Sequence, residues 1–226
     1  MHSLVLLFIL LLLSEFSTLL SLWRNTLPTH KTKNIKNRRS VRRYRPDPVP
    51  EEVIRDILDC GRLAPSANNK QPWLLGAVTA PMLLRELADL VENARFIHQS
   101  TVCFSVFTRA EEAFYLEDGC AAAMNIVYAC EAHGVATCWV AGAGQGFVDE
   151  VRELLGVPGE YSLVALIAAG YPDQVPESNK KQLDEVMFLD RYTPKGAANK
   201  SHAGSIGVSL KGKLRHLVRG LLLKWF

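Results

Sequence analysis

Apolar positions along the chain fall into two kinds of block. In the first kind they recur every three or four residues. Val53, Ile54, Ile57 and Leu58 follow Pro50-Glu51-Glu52, and Leu83, Leu84, Leu87, Leu90 and Val91 form a second set. This is the period of a helix with one buried stripe, and a proline followed by acids suits a first helical turn. The pattern predicts a helix over Pro48–Leu63, ending near Gly61 ahead of Ala64-Pro65, and another over Met82–Asn93. The second kind is a short unbroken apolar run: Leu74–Val78, Val102–Phe107, Ala136–Val140 and Tyr161–Ala169, the last leading into Gly170-Tyr171-Pro172. Such runs read as buried strands. Asp118–Gly134 is a long alanine-rich helix whose small residues allow close packing in a core or at a dimer interface. Val148–Leu155 is a short helix closed by Gly156. There is no internal repeat, and strands alternating with helices predict an α/β or α+β sheet with flanking helices.

Both ends depart from this pattern. Residues 1–23 are largely apolar, with Leu4–Leu13 unbroken, although Glu15 and several serines interrupt the segment. Its length is near the roughly 20 residues of a spanning helix. A membrane anchor, a cleaved signal peptide and a mis-assigned start codon are the competing readings. No Lys or Arg precedes the run and no Ala follows it, which disfavours a signal peptide. Arg24, Lys31, Lys33, Lys36, Arg38 and Arg39 come after it and would keep the C-terminal side in the cytoplasm. The expectation is therefore a membrane-associated protein with a cytoplasmic catalytic domain, or a cytoplasmic protein if the start is mis-assigned. A basic linker, 24–36, leads into the main domain, 37–193. Residues 194–226 form a polar linker and then a basic amphipathic helix from Leu210 to Phe226. That helix could lie on an anionic membrane surface or dock on a second copy of the chain.

Composition adds limits. The chain has 226 residues, 48% hydrophobic and 22% charged, which is enough for one compact domain and two tails. A net charge of +3 gives no footprint for nucleic acid over the whole protein. The five cysteines, Cys60, Cys103, Cys120, Cys130 and Cys138, contain no CxxC pair and no zinc-like spacing, so they read as small core hydrophobes and weakly favour a reducing compartment. His98 and His133 read as structural or surface residues.

Three clusters could carry chemistry. Arg38-Arg39-Ser40-Val41-Arg42-Arg43-Tyr44-Arg45 gathers guanidinium groups and a hydroxyl suited to phosphate, or is simply a basic stretch beside a membrane. Pro65-Ser66-Ala67-Asn68-Asn69-Lys70-Gln71-Pro72-Trp73 is either a plain Asn/Pro turn or a loop offering amides and a hydroxyl to a heteroaromatic ligand. Cys138-Trp139-Val140-Ala141-Gly142-Ala143-Gly144 ends a strand in small residues, which lets a ligand approach backbone N–H groups; it lacks the arrangement of a Rossmann turn.

In this order and spacing, together with DGCAAAMNIVYACEAHGVATCWV and LIAAGYP, the clusters resemble the nitroreductase family from about Asn37 to Tyr192. The resemblance implies an α+β three-layer fold with a mostly antiparallel central sheet flanked by helices, and a domain-swapped homodimer with one FMN in each of two interface clefts. It implies that Arg38 and Ser40, in a run that includes Arg39, hold the FMN phosphate and ribityl chain, and that Arg42 lies near the pyrimidine end of the flavin. Pro65, Ser66 and Asn69 would reach the FMN of the partner subunit, with Gln71 nearby, and Arg95 would be a second pyrimidine-side base. Ala141 and Gly142 occupy the loop whose N–H groups face flavin N5 and O4, with Ala141 where the family commonly has an acid. Lys180 stands where the family often has a phosphate-clamping arginine, so a looser clamp is expected. The implied activity passes a hydride from NADH or NADPH through FMN to a small electron acceptor such as a nitroaromatic or a quinone, with no metal and no side-chain nucleophile or acid/base pair. A dehalogenase-like relative and a flavin-binding, membrane-associated protein without turnover are the alternatives. The stretch between Trp73 and Ile97 is short for the lid of the iodotyrosine-dehalogenating relatives.

Overall fold

A computed structural model of the chain describes residues 32–192, which divide between Ser178 and Asn179 into two units. The first holds the sheet. A short helix α1 (Lys33–Asn37) precedes α2 (Glu51–Arg62), a 3-10 turn (Ala67–Asn69) and strand β1 (Trp73–Val78). Helix α3 (Pro81–Leu90), a 3-10 segment (Glu92–Gln99), β2 (Val102–Arg109), α4 (Tyr115–Ala132), β3 (Ala136–Ala141), α5 (Val148–Leu154) and β4 (Tyr161–Gly170) follow. The strands form one sheet in the order β1-β2-β4-β3, and every neighbouring pair is antiparallel. The sheet flanked by helices agrees with the expected α+β class.

The inner strands β2 and β4 are covered on both faces, which is why they read as continuous apolar runs. On one face α2 and α4 close over Val102, Phe104, Val106, Ala165 and Ile167, with Ile57, Ala122, Ala123 and Ile126 from the helices. On the other, α3, α5 and the 3-10 segment cover Cys103, Phe107, Leu163, Leu166 and Ala168 through Leu84, Leu87, Ile97 and Val151. The register slips between Val106 and Phe107, so that Val164 is an extra residue of β4. This is a β-bulge, a device common beside binding sites.

Local chemistry explains the boundaries. Pro50 precedes α2, and Glu51 and Glu52 occupy its positive first turn. The second predicted helix stops early: Val91 leaves helical geometry at φ −106°, ψ 81°, and the chain continues as the 3-10 segment. Helix α4 begins at Tyr115, ahead of the predicted Asp118, and so takes Glu117 and Asp118 into its first turn. Burial pushes the Cys103 thiol up to about 12 and also raises Cys130, consistent with inert core cysteines.

The second unit contains α6 (Leu183–Val186), where the Glu185 carboxylate accepts from the Gln182 N–H at 2.9 Å. Leu183, Val186, Met187, Phe188, Leu189 and Tyr192 are all exposed there, and Phe188 meets Tyr192 edge to face at 5.9 Å. The apolar segment 1–23 and the basic helix expected within 194–226 lie outside the described residues. No helix among the described residues is long and apolar enough to cross a membrane.

Candidate functional site

The arginine-rich segment is held against the outer edge of β3. The Val41 N–H donates to the Thr137 carbonyl at 2.9 Å and Ser40 bridges Thr137 in parallel. Further on, Arg45 N–H donates to Tyr171 O and Asp173 N–H to Arg43 O. Val41 and Tyr44 point inward. The Tyr44 hydroxyl donates toward Val41 O (2.5 Å) and Ala168 O (3.0 Å), and its burial raises its pKa. The sequence alternation of apolar and basic residues is thus a strap with its anchors buried and its charges outside.

Those charges have different occupations. Arg43 pairs with Asp173 and Arg45 with Asp47. Arg39, included among the phosphate-binding candidates, instead donates through Nη1 to the carbonyls of Lys36, Asn37 and Arg38 at 2.9–3.0 Å and so closes the C-terminal end of α1. The reason is proximity: α1 ends at Asn37 with carbonyls that lack helical donors. Arg38 and Arg42 form no ion pair among the described residues. Arg38 Nη1 lies 3.4 Å from Ser40 Oγ, and both guanidinium groups act on the Cys138 thiol, whose pKa burial raises and the two arginines lower. The Arg42 guanidinium lies 5.7 Å from the ring centroid of Phe96. Phe96 had no signal in the sequence, because it precedes the buried Ile97 in a segment without regular period. It brings the 3-10 segment beside Arg42, and that segment also carries Arg95, whose carbonyl meets the His98 ring.

Beyond the strap, β3 ends in Ala141 and Gly142. The Gly142 N–H donates inward to Val164 O at 2.9 Å, at the bulge. Gly142 thus has its N–H engaged at the bulge. It is glycine for packing, since a Cβ would lie 2.7 Å from Leu163 Cγ and 2.9 Å from Leu163 O. Backbone groups alternate along a strand, so the Ala141 N–H points to the open edge, the side on which Thr137 O receives Val41.

The polar loop hangs between α2 and β1, at the opposite edge of the sheet. Asn68, Asn69 and Gln71 all have positive φ (52°, 57° and 50°), a conformation that Asn tolerates better than other non-glycine residues. Ser66 Oγ accepts from Gln71 N–H at 2.9 Å, and Lys70 Nζ meets Glu112 Oε2 at 2.5 Å, which raises the lysine pKa. Pro65, Asn69 and Gln71 are exposed and Ser66 is half-buried. Two strands separate β1 from β3, or roughly 14 Å at the usual inter-strand spacing. Arg38, Ser40 and Arg42 are thus grouped on one edge, and Ser66, Asn69 and Gln71 on the other. Lys180 lies in the second unit and is exposed. No cluster of His, Cys, Asp and Glu suited to a metal occurs among the described residues. His133 Nε2 meets Asp56 at 2.7 Å on the surface, a structural role.

Comparison with known proteins gives a consistent picture. The profile of the Nitroreductase family matches residues 35–94 and 93–171. A Thermus thermophilus protein named NADH dehydrogenase is 30% identical, with 72% of this chain and 98% of that protein covered. Among solved structures, a provisionally named NADH dehydrogenase/NAD(P)H nitroreductase of Parabacteroides distasonis superposes with a TM-score of 0.68 at 26% identity, covering 73% of this chain and 99% of its own. A nitroreductase of Desulfovibrio desulfuricans, also provisionally named and solved in complex with FMN, gives 0.60 at 26% identity, covering 71% and 96%.

Proposed function

The chain belongs to the nitroreductase family, and from that premise we propose that it is an FMN-dependent oxidoreductase that takes electrons from NADH or NADPH and delivers them to a small acceptor such as a quinone or nitroaromatic. The observation that carries this reading is the pair Arg38 and Arg42. In a strap whose other arginines are engaged by acids or backbone, these two form no ion pair among the described residues; Arg38 lies 3.4 Å from Ser40 Oγ, Arg42 lies over Phe96, and the Ala141 N–H opens on the same edge of β3. Two guanidinium groups, a hydroxyl and an outward N–H form a donor set that fits a phosphorylated, electron-rich heteroaromatic group.

Arg38 and Ser40 would hold the phosphate and ribityl chain. Arg42, with Phe96 beneath it and Arg95 on the same segment, would keep positive charge at the pyrimidine end. FMN, when bound, supplies the electron-transfer chemistry, while the protein binds, orients and adjusts it electrostatically. Positive charge fixed where negative charge develops on reduction favours that reduction. Ala141 offers a main-chain donor and no acid, so the proton balance at that position falls to solvent.

The motifs on opposite edges of one sheet support a homodimeric site, in which the β3 edge of one subunit and the Ser66–Gln71 loop of the other close on the same flavin. The exposed apolar residues from Leu183 to Tyr192 are a segment suited to subunit contact. The chain between β1 and β2 consists of α3 and the 3-10 segment alone, which favours a general reductase over a lidded dehalogenase.

The test is a visible spectrum of the purified chain followed by anaerobic addition of NADH or NADPH. A flavin spectrum that bleaches, and recovers when a quinone or nitro compound is added, is expected. Bound flavin that stays oxidised with both donors would reject turnover, and a chain that takes up no FMN would reject the site.

A further inference from the structure

We infer that Asp118 is a positioning residue that presets the Ser66–Gln71 loop for flavin, an inference that rests on the function proposed above. Asp118 is 6% exposed and lies in the first turn of α4. An acid there would ordinarily serve its own helix terminus. Its Oδ1 instead accepts the N–H of Ala67 at 3.0 Å, from the start of the 3-10 turn in the loop. A buried carboxylate is costly unless hydrogen-bonded, so a single charged acceptor facing one loop amide is a strong local tie.

The loop needs such a tie. Three of its residues hold positive φ without being glycine, and each departure of this kind persists only when the surroundings enforce it. Within the loop, Ser66 Oγ holds the Gln71 N–H; the ties from outside it come from one stretch of chain, 109–118. Arg109 N–H donates to Pro72 O at 3.0 Å, Glu112 pairs with Lys70, and Asp118 takes Ala67. Lys70 and its partner are more open to water, and an ion pair of that kind contributes little. Pro72 is tied beyond the strained residues. Asp118 is therefore the tie that fixes where the turn begins, and with it the directions of Ser66, Asn69 and Gln71. Helix α4 packs against α2 and against both inner strands, so the loop inherits the rigidity of the core.

The experiment compares full-length wild type with Asp118→Ala, Asp118→Asn, Ala67→Pro and Lys70→Ala. It reads amide hydrogen exchange of the segment 64–73, the FMN dissociation constant and the thermal midpoint. Asp118→Ala is expected to speed exchange in that segment alone and to weaken FMN 10- to 100-fold. Asparagine keeps a carbonyl acceptor and should restore binding to within a few-fold. Ala67→Pro removes the donor from the other side, at the first position of a turn where proline fits, and should reproduce the alanine result if Asp118→Ala does not fold. Lys70→Ala should change affinity less than threefold. Faster exchange with unchanged FMN affinity would overturn the inference, as would unchanged exchange, or a loss of stability in both Asp118 variants without selectivity for the loop. Failure of the wild type itself to bind FMN would overturn the functional reading and this assignment with it, and is distinguished because no variant is involved.

Discussion

Arg38 and Arg39 are adjacent in the sequence, yet only Arg39 is bound to backbone carbonyls at the end of α1. Their substitutions should therefore separate. A charged hydrogen bond contributes about 1.5–3 kcal/mol, so Arg38→Ala is expected to raise the FMN dissociation constant roughly 10- to 100-fold. Arg39→Ala should leave it within about threefold while loosening α1, read by hydrogen exchange at residues 33–39. Arg42→Ala should act on potential more than on affinity. Losing the positive charge disfavours the reduced flavin and should lower the midpoint potential by tens of millivolts, at about 30 mV per 1.4 kcal/mol for a two-electron couple. Equal effects of Arg38→Ala and Arg39→Ala in fluorescence titration would mean that the resting contacts of Arg39 are exchanged for phosphate on binding.

At the scale of elements, the contact between α4 and the sheet depends on Gly119. A Cβ there would lie 2.6 Å from Val164 Cγ2 and 3.0 Å from Thr108 Cγ2. Gly119→Ala should destabilise the fold by about 1–3 kcal/mol, seen as a lower thermal midpoint, and should loosen the loop that Asp118 anchors from the same turn. Such contacts explain which parts of the molecule were legible in the sequence. The buried strands were readable because burial on both faces leaves an uninterrupted apolar run, and α2 because one face alone is buried. Strand order was not contained in periodicity; the antiparallel expectation came with the family resemblance. The 3-10 segment from Glu92 was missed because Val91 breaks a helix without glycine or proline to mark the change. Within the site, the basic strap and the polar loop were visible as clusters of residue types. The separation of Arg39 from Arg38, the inward turn of the Gly142 N–H, and the parts of Phe96 and Asp118 were not visible. Each depends on what lies opposite in space, and an acid in a first helical turn looks ordinary in a sequence whatever its carboxylate reaches.

At the scale of the whole molecule, the two halves of the candidate site on opposite edges of one sheet make a prediction about assembly. If each flavin is held by the Arg38–Arg42 strap of one subunit and the Ser66–Gln71 loop of the other, the two halves can be disabled in different chains. A chain carrying Arg38→Ala with Arg42→Ala should bind FMN poorly, as should a chain carrying Asn69→Ala with Asp118→Ala. In a two-fold dimer of one chain of each type, both defects fall on one site and the other site is intact. Random pairing makes half of the dimers mixed, so about a quarter of all sites should regain wild-type affinity and activity when the two chains are co-expressed. The recovered activity should be lost on dilution below the dimer dissociation constant, because the restored site exists only while the subunits stay together. If both halves served a flavin within one chain, every site would carry a defect and co-expression would restore nothing. Flavin content measured on the separated mixed dimer distinguishes the two arrangements directly, and does so without knowledge of the physiological acceptor.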